Sequence, residues 1–212
     1  MMDAAGYDGI IVENYFGSVT DVRIVLSMLD DMDLSCKVGV NILGDLDMAF
    51  ALASSHRVDF IQTDSVCGHL PPLDDAAFAE FLAARRATCD AVLLGGVRFK
   101  YAPVQSGRTV EEDLLLGRER CDAIVVTSEA TGQETDQGKI KLFRDVLGSD
   151  QPLIVGAGLR PDNVGAQFAI ADGGIVGSWL KENHVDVGDM RADYVATFLD
   201  AVRAADLSLS PT

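Results

Sequence analysis

The 212-residue sequence has no apolar run long enough to cross a membrane, since a spanning helix needs about 18 or more consecutive apolar residues. Its first segment also lacks the basic stretch followed by an apolar stretch that forms a secretion signal. We therefore expect a cytoplasmic protein that is not transmembrane. Its length is that of one domain, which we place at residues 1–212.

Closely spaced cysteines are missing as well. The four that occur are far apart, with no CxxC motif: Cys36, Cys67, Cys89 and Cys121. A free cysteine among apolar residues behaves as a small hydrophobic side chain, so a reduced compartment fits better than a disulfide framework. Cys67, His69 and His56 have no second ligand pair at the spacing of a zinc site, and the GxSxG motif is absent. We expect no metal and no cofactor.

Positive charge is scarce. The formal net charge is −16, and only five residues are lysines. Because an acidic surface repels the phosphate backbone, we expect no nucleic-acid partner. An acidic, lysine-poor surface suits a salt-rich cytoplasm, in which screening weakens the repulsion between like charges. The composition is thus compatible with a halophile, and an ordinary acidic protein is the alternative.

Short apolar strands alternate with amphipathic helical stretches along the chain. Apolar strands that alternate with helices predict a parallel sheet buried on both faces, and seven similar β-α units favour a barrel. The predicted strands are Asp8–Glu13, Lys37–Asn41, Val58–Thr63, Ala91–Gly95, Asp122–Thr127, Pro152–Gly156 and Gly174–Gly177. The predicted helices are Val19–Asp31, Leu46–Ser55, Asp74–Ala87, Val110–Arg118, Gly138–Leu147, Pro161–Ile170 and Ala192–Ala204.

The number of strands falls short of a complete barrel. The predicted fold class is α/β, a (β/α)8 TIM-type barrel, which has eight strands where this sequence shows seven. Met1–Ala5 followed by Gly6 is typical of a last helical turn with a glycine C-cap. We therefore expect the first β-α unit to be lacking, or its place to be taken by another strand. Because an incomplete barrel exposes two strand edges, a homo-oligomer is expected.

Polar side chains follow several of the predicted strands, at the end where barrel enzymes carry their active sites. Glu13 and Asp64 can act as general acid or base where burial raises a carboxyl pKa. Lys100 can bind a phosphate or, when desolvated, act as an amine nucleophile or base. Each of these groups can equally cap a helix or bind a backbone amide. We predict that the catalytic residues are Glu13, Asn41, Asp64 and Lys100.

Two strand ends near the C-terminus are rich in glycine, Leu153–Gly158 and Asp172–Ser178. Glycine lets the backbone approach a ligand and present its N–H groups, and the last two loops of a TIM barrel often bind phosphate in this way. A helix predicted to start at Pro161 would add its N-terminus. The alternative is that the glycines serve only tight turns. The predicted phosphate-binding residues are Gly156, Ala157, Gly158, Arg160, Gly177 and Ser178.

Six segments, in order over nearly the whole chain, resemble the BtpA family: Asp8–Asn14, Val38–Asn41, Asp59–Ile61, Ala130–Gly132, Val155–Val164 and Asp172–Lys181. The resemblance implies a TIM-type barrel related to the phosphate-binding barrels of tryptophan and sugar-phosphate metabolism. It also implies a link to photosystem I biogenesis, with which the cyanobacterial member is associated as a peripheral thylakoid protein.

The sequence departs from the family pattern near the proposed catalytic residues. Gly96–Tyr101 stands where the family usually has Asp-Val-His-Val-Lys-His, so that Lys100 is retained while an acid and two imidazoles are replaced. Asp64 stands where an asparagine is usual, and Arg160 replaces a capping threonine. The resemblance therefore implies that the phosphate site persists, whereas the acid-base chemistry is altered.

Two functions follow from these observations. The first is a cytoplasmic enzyme that acts on a small phosphorylated metabolite as an isomerase, epimerase or lyase. The second is a non-catalytic accessory protein in the biogenesis of a membrane complex of the photosystem I type.

Overall fold

The computed structural model describes the backbone of residues 1–209 and the side chains of residues 1–205. The strands are β1 (Gly9–Glu13), β2 (Lys37–Asn41), β3 (Phe60–Cys67), β4 (Val92–Val97), β5 (Ala123–Val126), β6 (Leu153–Val155) and β7 (Gly173–Gly174). The helices are α1 (Met2–Ala5), α2 (Val19–Asp30), α3 (Leu46–Ser55), α4 (Pro72–Arg86), α5 (Val110–Arg120), α6 (Gln137–Leu147), α7 (Val164–Phe168) and α8 (Ala192–Leu209). Two short 3-10 helices, Ser178–Leu180 and Glu182–His184, lie between β7 and α8.

The seven strands form one sheet, and their order in the sheet is their order along the chain. All six neighbouring pairs are parallel. This is the strand arrangement of a TIM-type barrel, and the prediction of seven parallel strands in this order is confirmed. The bounds differ at β3, which covers Phe60–Cys67 instead of Val58–Thr63, and at β7, which covers Gly173–Gly174 instead of Gly174–Gly177. Within residues 1–209, however, β1 and β7 do not pair with each other, so the sheet is a curled half-barrel rather than a closed eight-stranded barrel.

Helices lie near each other where the first and last strands fail to pair. Helix α1 ends at Gly6, whose φ of 98° and N–H bonds to Met2 and Asp3 match the predicted C-cap. The hydroxyl of Tyr7 donates a hydrogen bond to the carbonyl of Val195 in α8 over 3.1 Å. Arg203 Nη2 of α8 donates to the carbonyl of Ala5 over 3.1 Å. The outer layer therefore joins α1 to α8 although the two strand edges stay unpaired.

Both faces of the sheet are buried, as expected for parallel strands between helices. All four residues of β5 are buried, and large side chains such as Phe143 of α6 and Leu114 of α5 are fully enclosed. All four cysteines are free thiols, and three of them are buried. In the described part of the chain, no helix combines the length and the apolarity needed to cross a membrane.

The largest difference from the prediction concerns α7. We expected a helix over Pro161–Ile170, but the helix covers only Val164–Phe168. Asn163 explains the late start, because its Oδ1 accepts from the N–H of Arg160 at 2.8 Å and its Nδ2 donates to the carbonyl of Gly158 at 2.9 Å. These bonds fold residues 158–163 into a turn. The expected helix start at Pro161 is therefore wrong, because the helix begins at Val164.

Candidate active site

A cavity of about 460 Å³ opens at the carboxyl ends of the strands. This volume lies within the usual range for small-molecule sites. All ten residues predicted for the site line it: Glu13, Asn41, Asp64, Lys100, Gly156, Ala157, Gly158, Arg160, Gly177 and Ser178. Because the carboxyl ends of parallel strands meet at one edge of the sheet, the fold brings together side chains that are far apart in the sequence.

The catalytic candidates stand on adjacent strands. Glu13 and Asn41 are register partners at the ends of β1 and β2. Asp64 lies in an irregular part of β3, where the pairing with β4 shifts between Thr63 and Cys67. A Cβ on Gly96 would lie 2.1 Å from the carbonyl oxygen of Asp64, so glycine is required there for the two strands to approach. The irregular stretch is thus built into the sheet beside the candidate site, where such bulges are common.

Gln62 belongs to the same group, although sequence reasoning missed it. Its side chain is buried and lines the cavity, and its Oε1 accepts a hydrogen bond from Asn41 Nδ2 over 2.7 Å. Gln62 lies inside a strand rather than at its end, so a search of strand ends does not find it. Its signal in the sequence is a polar side chain directly after the apolar pair Phe60 and Ile61 of the predicted strand.

The environment shifts the charge states of three cavity residues. Desolvation raises the pKa of Glu13, and the nearby charge of Asp64 raises it further, while Lys181 and Lys100 oppose the shift. Glu13 is also in contact with solvent at the mouth of the cavity. Desolvation also raises the pKa of Asp64 and lowers the pKa of the Lys100 ammonium.

None of these three charges is neutralised by a close ion pair. Among the ion pairs formed by residues 1–205, none includes Glu13, Asp64 or Lys100. Raised pKa values on two carboxyls and a lowered one on a neighbouring amine bring these groups closer to one another in acidity, which favours proton exchange among them.

Lys100 lies on a segment that is held at both sides. Arg98 and Tyr101 adopt φ values of 49° and 66°, which are rare for residues with a Cβ and occur mainly at functional sites. Arg98 Nε donates to Asp113 Oδ2 over 2.7 Å. On the other side, the hydroxyl of Tyr101 accepts a hydrogen bond from the N–H of Thr131 over 2.8 Å. The position of the Lys100 ammonium is therefore set by its neighbours.

The glycines of the predicted phosphate site divide into two kinds. Gly158 has a φ of 69°, and a Cβ there would lie 2.1 Å from the carbonyl oxygen of Gln133. A Cβ on Gly156 would lie 2.5 Å from Val125 Cγ1. Packing is therefore sufficient to explain why Gly156 and Gly158 are glycines, which agrees with the alternative that these glycines serve the fold of the chain. Gly177 differs, because a Cβ there would meet nothing within 4 Å.

Gly177 and Ser178 present unpaired backbone donors. Within residues 1–209, no backbone or side-chain oxygen accepts a hydrogen bond from the N–H of either residue. Both residues line the cavity. Two free N–H groups on an open stretch of backbone are able to bind an anion.

The two cations at this end of the cavity are held differently. Arg160 is bound to Glu134 over 2.8 Å and to Asp162 over 3.1 Å, and these two carboxylates raise its pKa. Its charge is therefore already balanced. Lys181, which was not among the predicted site residues, lines the cavity and donates to the carbonyl of Asp186 over 2.6 Å. Its position directly after the second glycine segment was the available sequence signal.

The residues weighed for a zinc site are not brought together. His56 binds Asp30 on the outside of the molecule, with its Nδ1 2.7 Å from Asp30 Oδ2. His69 stacks edge-on against Phe78 at 5.5 Å, and burial lowers its pKa. Burial also raises the pKa of the Cys67 thiol to about 12.

A parallel sheet in sequential order with a cavity at its carboxyl ends is the arrangement of TIM-type barrels. The solved structures agree. Phosphoribosyl anthranilate isomerase from Thermotoga maritima has a TM-score of 0.63 at 18% identity, covering 96% of this chain and 91% of that one. A structure described as native KDPGal has a TM-score of 0.66 at 16% identity, covering 97% and 86%. At these identities the likeness shows the fold.

The chain belongs to the BtpA family, whose model matches residues 1–204. An uncharacterised protein of Pyrococcus abyssi is 30% identical over 218 aligned residues, covering 94% of this chain and 83% of the relative. The photosystem I biogenesis protein BtpA of Synechocystis is 28% identical over 198, covering 85% and 68%.

Proposed function

We propose that this protein is an enzyme that binds a small phosphorylated metabolite and transfers a proton on it, as an isomerase, epimerase or lyase does. One observation carries the proposal: titratable groups without ion-pair partners share a single cavity with the free N–H groups of Gly177 and Ser178. Catalytic acid-base groups need pKa values moved toward neutrality, and the phosphate needs donors aimed at it. The proposed enzyme acts in the cytoplasm.

The proposed chemistry follows from where the charges lie. The phosphate binds the N–H groups of Gly177 and Ser178, with Lys181 as the nearby counter-charge. Glu13 or Asp64, as carboxylate, removes a proton from a carbon next to a carbonyl group. The other carboxyl donates a proton to the neighbouring atom. The starting state returns when the first carboxyl releases its proton to solvent and the second takes one up from it. Lys100 stabilises the negative charge that develops on the carbonyl oxygen, or adds to the carbonyl carbon as a neutral amine.

Similarity in fold supports the phosphate part of the proposal. The Thermotoga isomerase is named for a phosphoribosyl substrate. A further isomerase structure of this kind holds a ligand with a 5-phosphate group. Both matches cover more than nine-tenths of this chain, which includes the two glycine segments.

One observation favours the accessory role as a second candidate. The Synechocystis relative is named for photosystem I biogenesis. In this chain the outer side of α2 exposes Ile24 and Met28 at 56% and 63% of their surfaces. Exposed apolar side chains on one helix can contact a partner protein.

The decisive experiment is a calorimetric titration with ribose 5-phosphate and with inorganic phosphate. We expect saturable binding of both at millimolar concentration, and a loss of about tenfold or more in affinity in Gly177→Val, since side-chain atoms would then cover the donors. A Cβ at this position meets no neighbour, so the unfolding midpoint of the variant should stay close to that of the wild type.

Two outcomes contradict the proposal. If the wild type binds neither compound, the phosphate site is wrong. If Gly177→Val binds both as well as the wild type does, the anion does not sit on these donors. In either case the accessory role becomes the leading candidate.

A further inference from the structure

Aromatic residues make up only 7% of the sequence, yet they are concentrated around the cavity. Five of its lining residues are aromatic: Tyr15, Phe16, Phe99, Tyr101 and Trp179. Phe99 is buried, and Trp179 is half-buried and packs against His184 with ring centroids 5.0 Å apart. The other three rings are exposed.

Exposure separates these three from every other aromatic side chain described. Tyr15, Phe16 and Tyr101 are 39%, 64% and 70% exposed, and no other Phe, Tyr or Trp among residues 1–205 is exposed. A single exposed apolar residue needs no explanation, but a cluster at the mouth of a cavity marks a binding surface. Two separate loops supply it, since Tyr15 and Phe16 follow β1 whereas Tyr101 follows β4.

Tyr101 is held rigidly although its ring is open to solvent. Its φ of 66° is unfavourable for a residue with a side chain. Its hydroxyl accepts from the N–H of Thr131 over 2.8 Å and lies 3.2 Å from Thr131 Oγ1. The backbone conformation and these hydrogen bonds together fix the position of the ring. A ring fixed before binding loses little conformational entropy when a ligand stacks on it.

We propose that the ligand of this cavity carries a planar aromatic or heteroaromatic group, stacked at the mouth by Tyr101 together with Phe16 and Tyr15. The inference rests on the proposed function, because the phosphate is assigned to Gly177 and Ser178 and the reacting carbons to the side of Glu13, Asp64 and Lys100, which leaves the aromatic residues for another part of the ligand. Flat rings stack on aromatic side chains through dispersion and quadrupole interactions. The ligand thus has three parts: a phosphate, a polar reacting centre and a ring.

Calorimetry with phenyl phosphate and inorganic phosphate separates the ring from the phosphate. We expect the wild type to bind phenyl phosphate about tenfold more tightly than inorganic phosphate, a typical gain from one stacked ring. Phe16→Ala should narrow this ratio, and Tyr101→Ala should narrow it further. Tyr101→Phe keeps the ring and should retain most of the ratio. Leu73→Ala, which removes an 87% exposed apolar side chain outside the cavity, serves as the control and should leave the ratio unchanged.

Several outcomes overturn the inference, and they are distinguishable from failure of the proposed function. Equal affinity for the two compounds in the wild type means that no ring subsite exists, while the phosphate site stands. A ratio that persists in both alanine variants means that the ring binds elsewhere. If neither compound binds, the proposed function fails and this inference fails with it. Tyr101 directly follows Lys100, so Tyr101→Ala can also shift the Lys100 ammonium. The affinity ratio of Phe16→Ala therefore provides the independent test of the ring subsite.

Discussion

Two groups of charged residues lie close to the sheet, and they differ in how their charges are balanced. The ionic cluster behind β3 and β4 contains two buried aspartates and three arginines: Asp75, Asp113, Arg98, Arg108 and Arg120. The cavity group contains Glu13, Asp64 and Lys100, which form none of the ion pairs among residues 1–205. Both groups are rich in charge, yet only the ionic cluster pairs its charges directly.

The pKa directions express this difference. Hydrogen bonds from Arg120, and then from Arg108, lower the pKa of Asp75. Desolvation raises the pKa of Asp64, and the hydrogen bonds with Asn41 and Gln62 and the charge of Lys100 oppose this shift without cancelling it. Paired buried charges hold a structure together once they are in place, whereas unpaired groups with shifted pKa values are typical of chemistry. Arg98 links the two, because it binds Asp113 and lies two residues before Lys100.

The largest effect should follow from breaking the ionic cluster. Asp75 is 2% exposed and accepts from Arg120 Nη1 at 2.7 Å and from Arg108 Nη2 at 2.8 Å. Asp75→Ala leaves Arg120 without its carboxylate partner and Arg108 with only its longer pair to Asp113, and we expect a loss of about 3 kcal/mol or more in the free energy of unfolding, measured by urea denaturation.

Asp145→Ala is the matched control. Its pair with Lys141 is 3.4 Å long and exposed on both sides, so we expect a change below about 0.5 kcal/mol. Equal effects of the two substitutions would show that the ionic cluster does not stabilise the fold. Its paired charges would then not differ in this respect from the unpaired charges of the cavity.

An intermediate effect should separate the structural glycines of the cavity from Gly177. Gly158→Ala combines a left-handed φ with a collision against the carbonyl of Gln133, and we expect a loss of about 3 kcal/mol. Gly107→Ala isolates the backbone contribution, since its φ is 70° and a Cβ there meets nothing within 4 Å; a loss of about 1 kcal/mol is expected. Indistinguishable unfolding free energies for the two variants would mean that Gly158 is not required by packing.

The smallest effect, and the one opposite in sign, concerns Asp64. Its pKa is raised in the folded state, so ionisation between the ordinary value of 3.8 and the raised value destabilises the fold. Asp64→Asn removes this charge, and we expect the melting temperature at pH 7 to rise by about 2 °C. The gain should vanish as the pH falls below about 4, where the wild-type carboxyl is neutral as well.

Asp75→Asn supplies the contrast in a pH series of melting curves. The pKa of Asp75 is lowered, so its contribution is present above the ordinary carboxyl pKa and is lost as the pH falls through the lowered value. This variant should be less stable than the wild type at pH 7. If Asp64→Asn is destabilising at pH 7 as well, the two aspartates do not differ as we infer.

Sequence reasoning found the ten candidate residues because each stands at or soon after the end of a predicted strand, which is a local property, even though the observed β3 runs on past Asp64. It missed Gln62, whose side chain enters the cavity from within a strand. It also placed the α7 start three residues early, since the bonds of Asn163 to Arg160 and Gly158 compete with the first helical turn. The extension of β3 to Cys67 depends on its pairing with β4, which the strand's own residues do not encode.

The alternation of apolar strands and amphipathic helices determined the parallel sheet, its strand order and the end that carries the site, because periodicity and connection length are written in neighbouring residues. The tertiary structure alone decided which charges are paired. Asp75 meets Arg120 across 45 positions, whereas Glu13 and Asp64 come together without an ion-pair partner among residues 1–205, although Lys181 and Lys100 act on Glu13 through space. Burial and the distance between charges set a carboxyl pKa, and both depend on residues far apart in the chain.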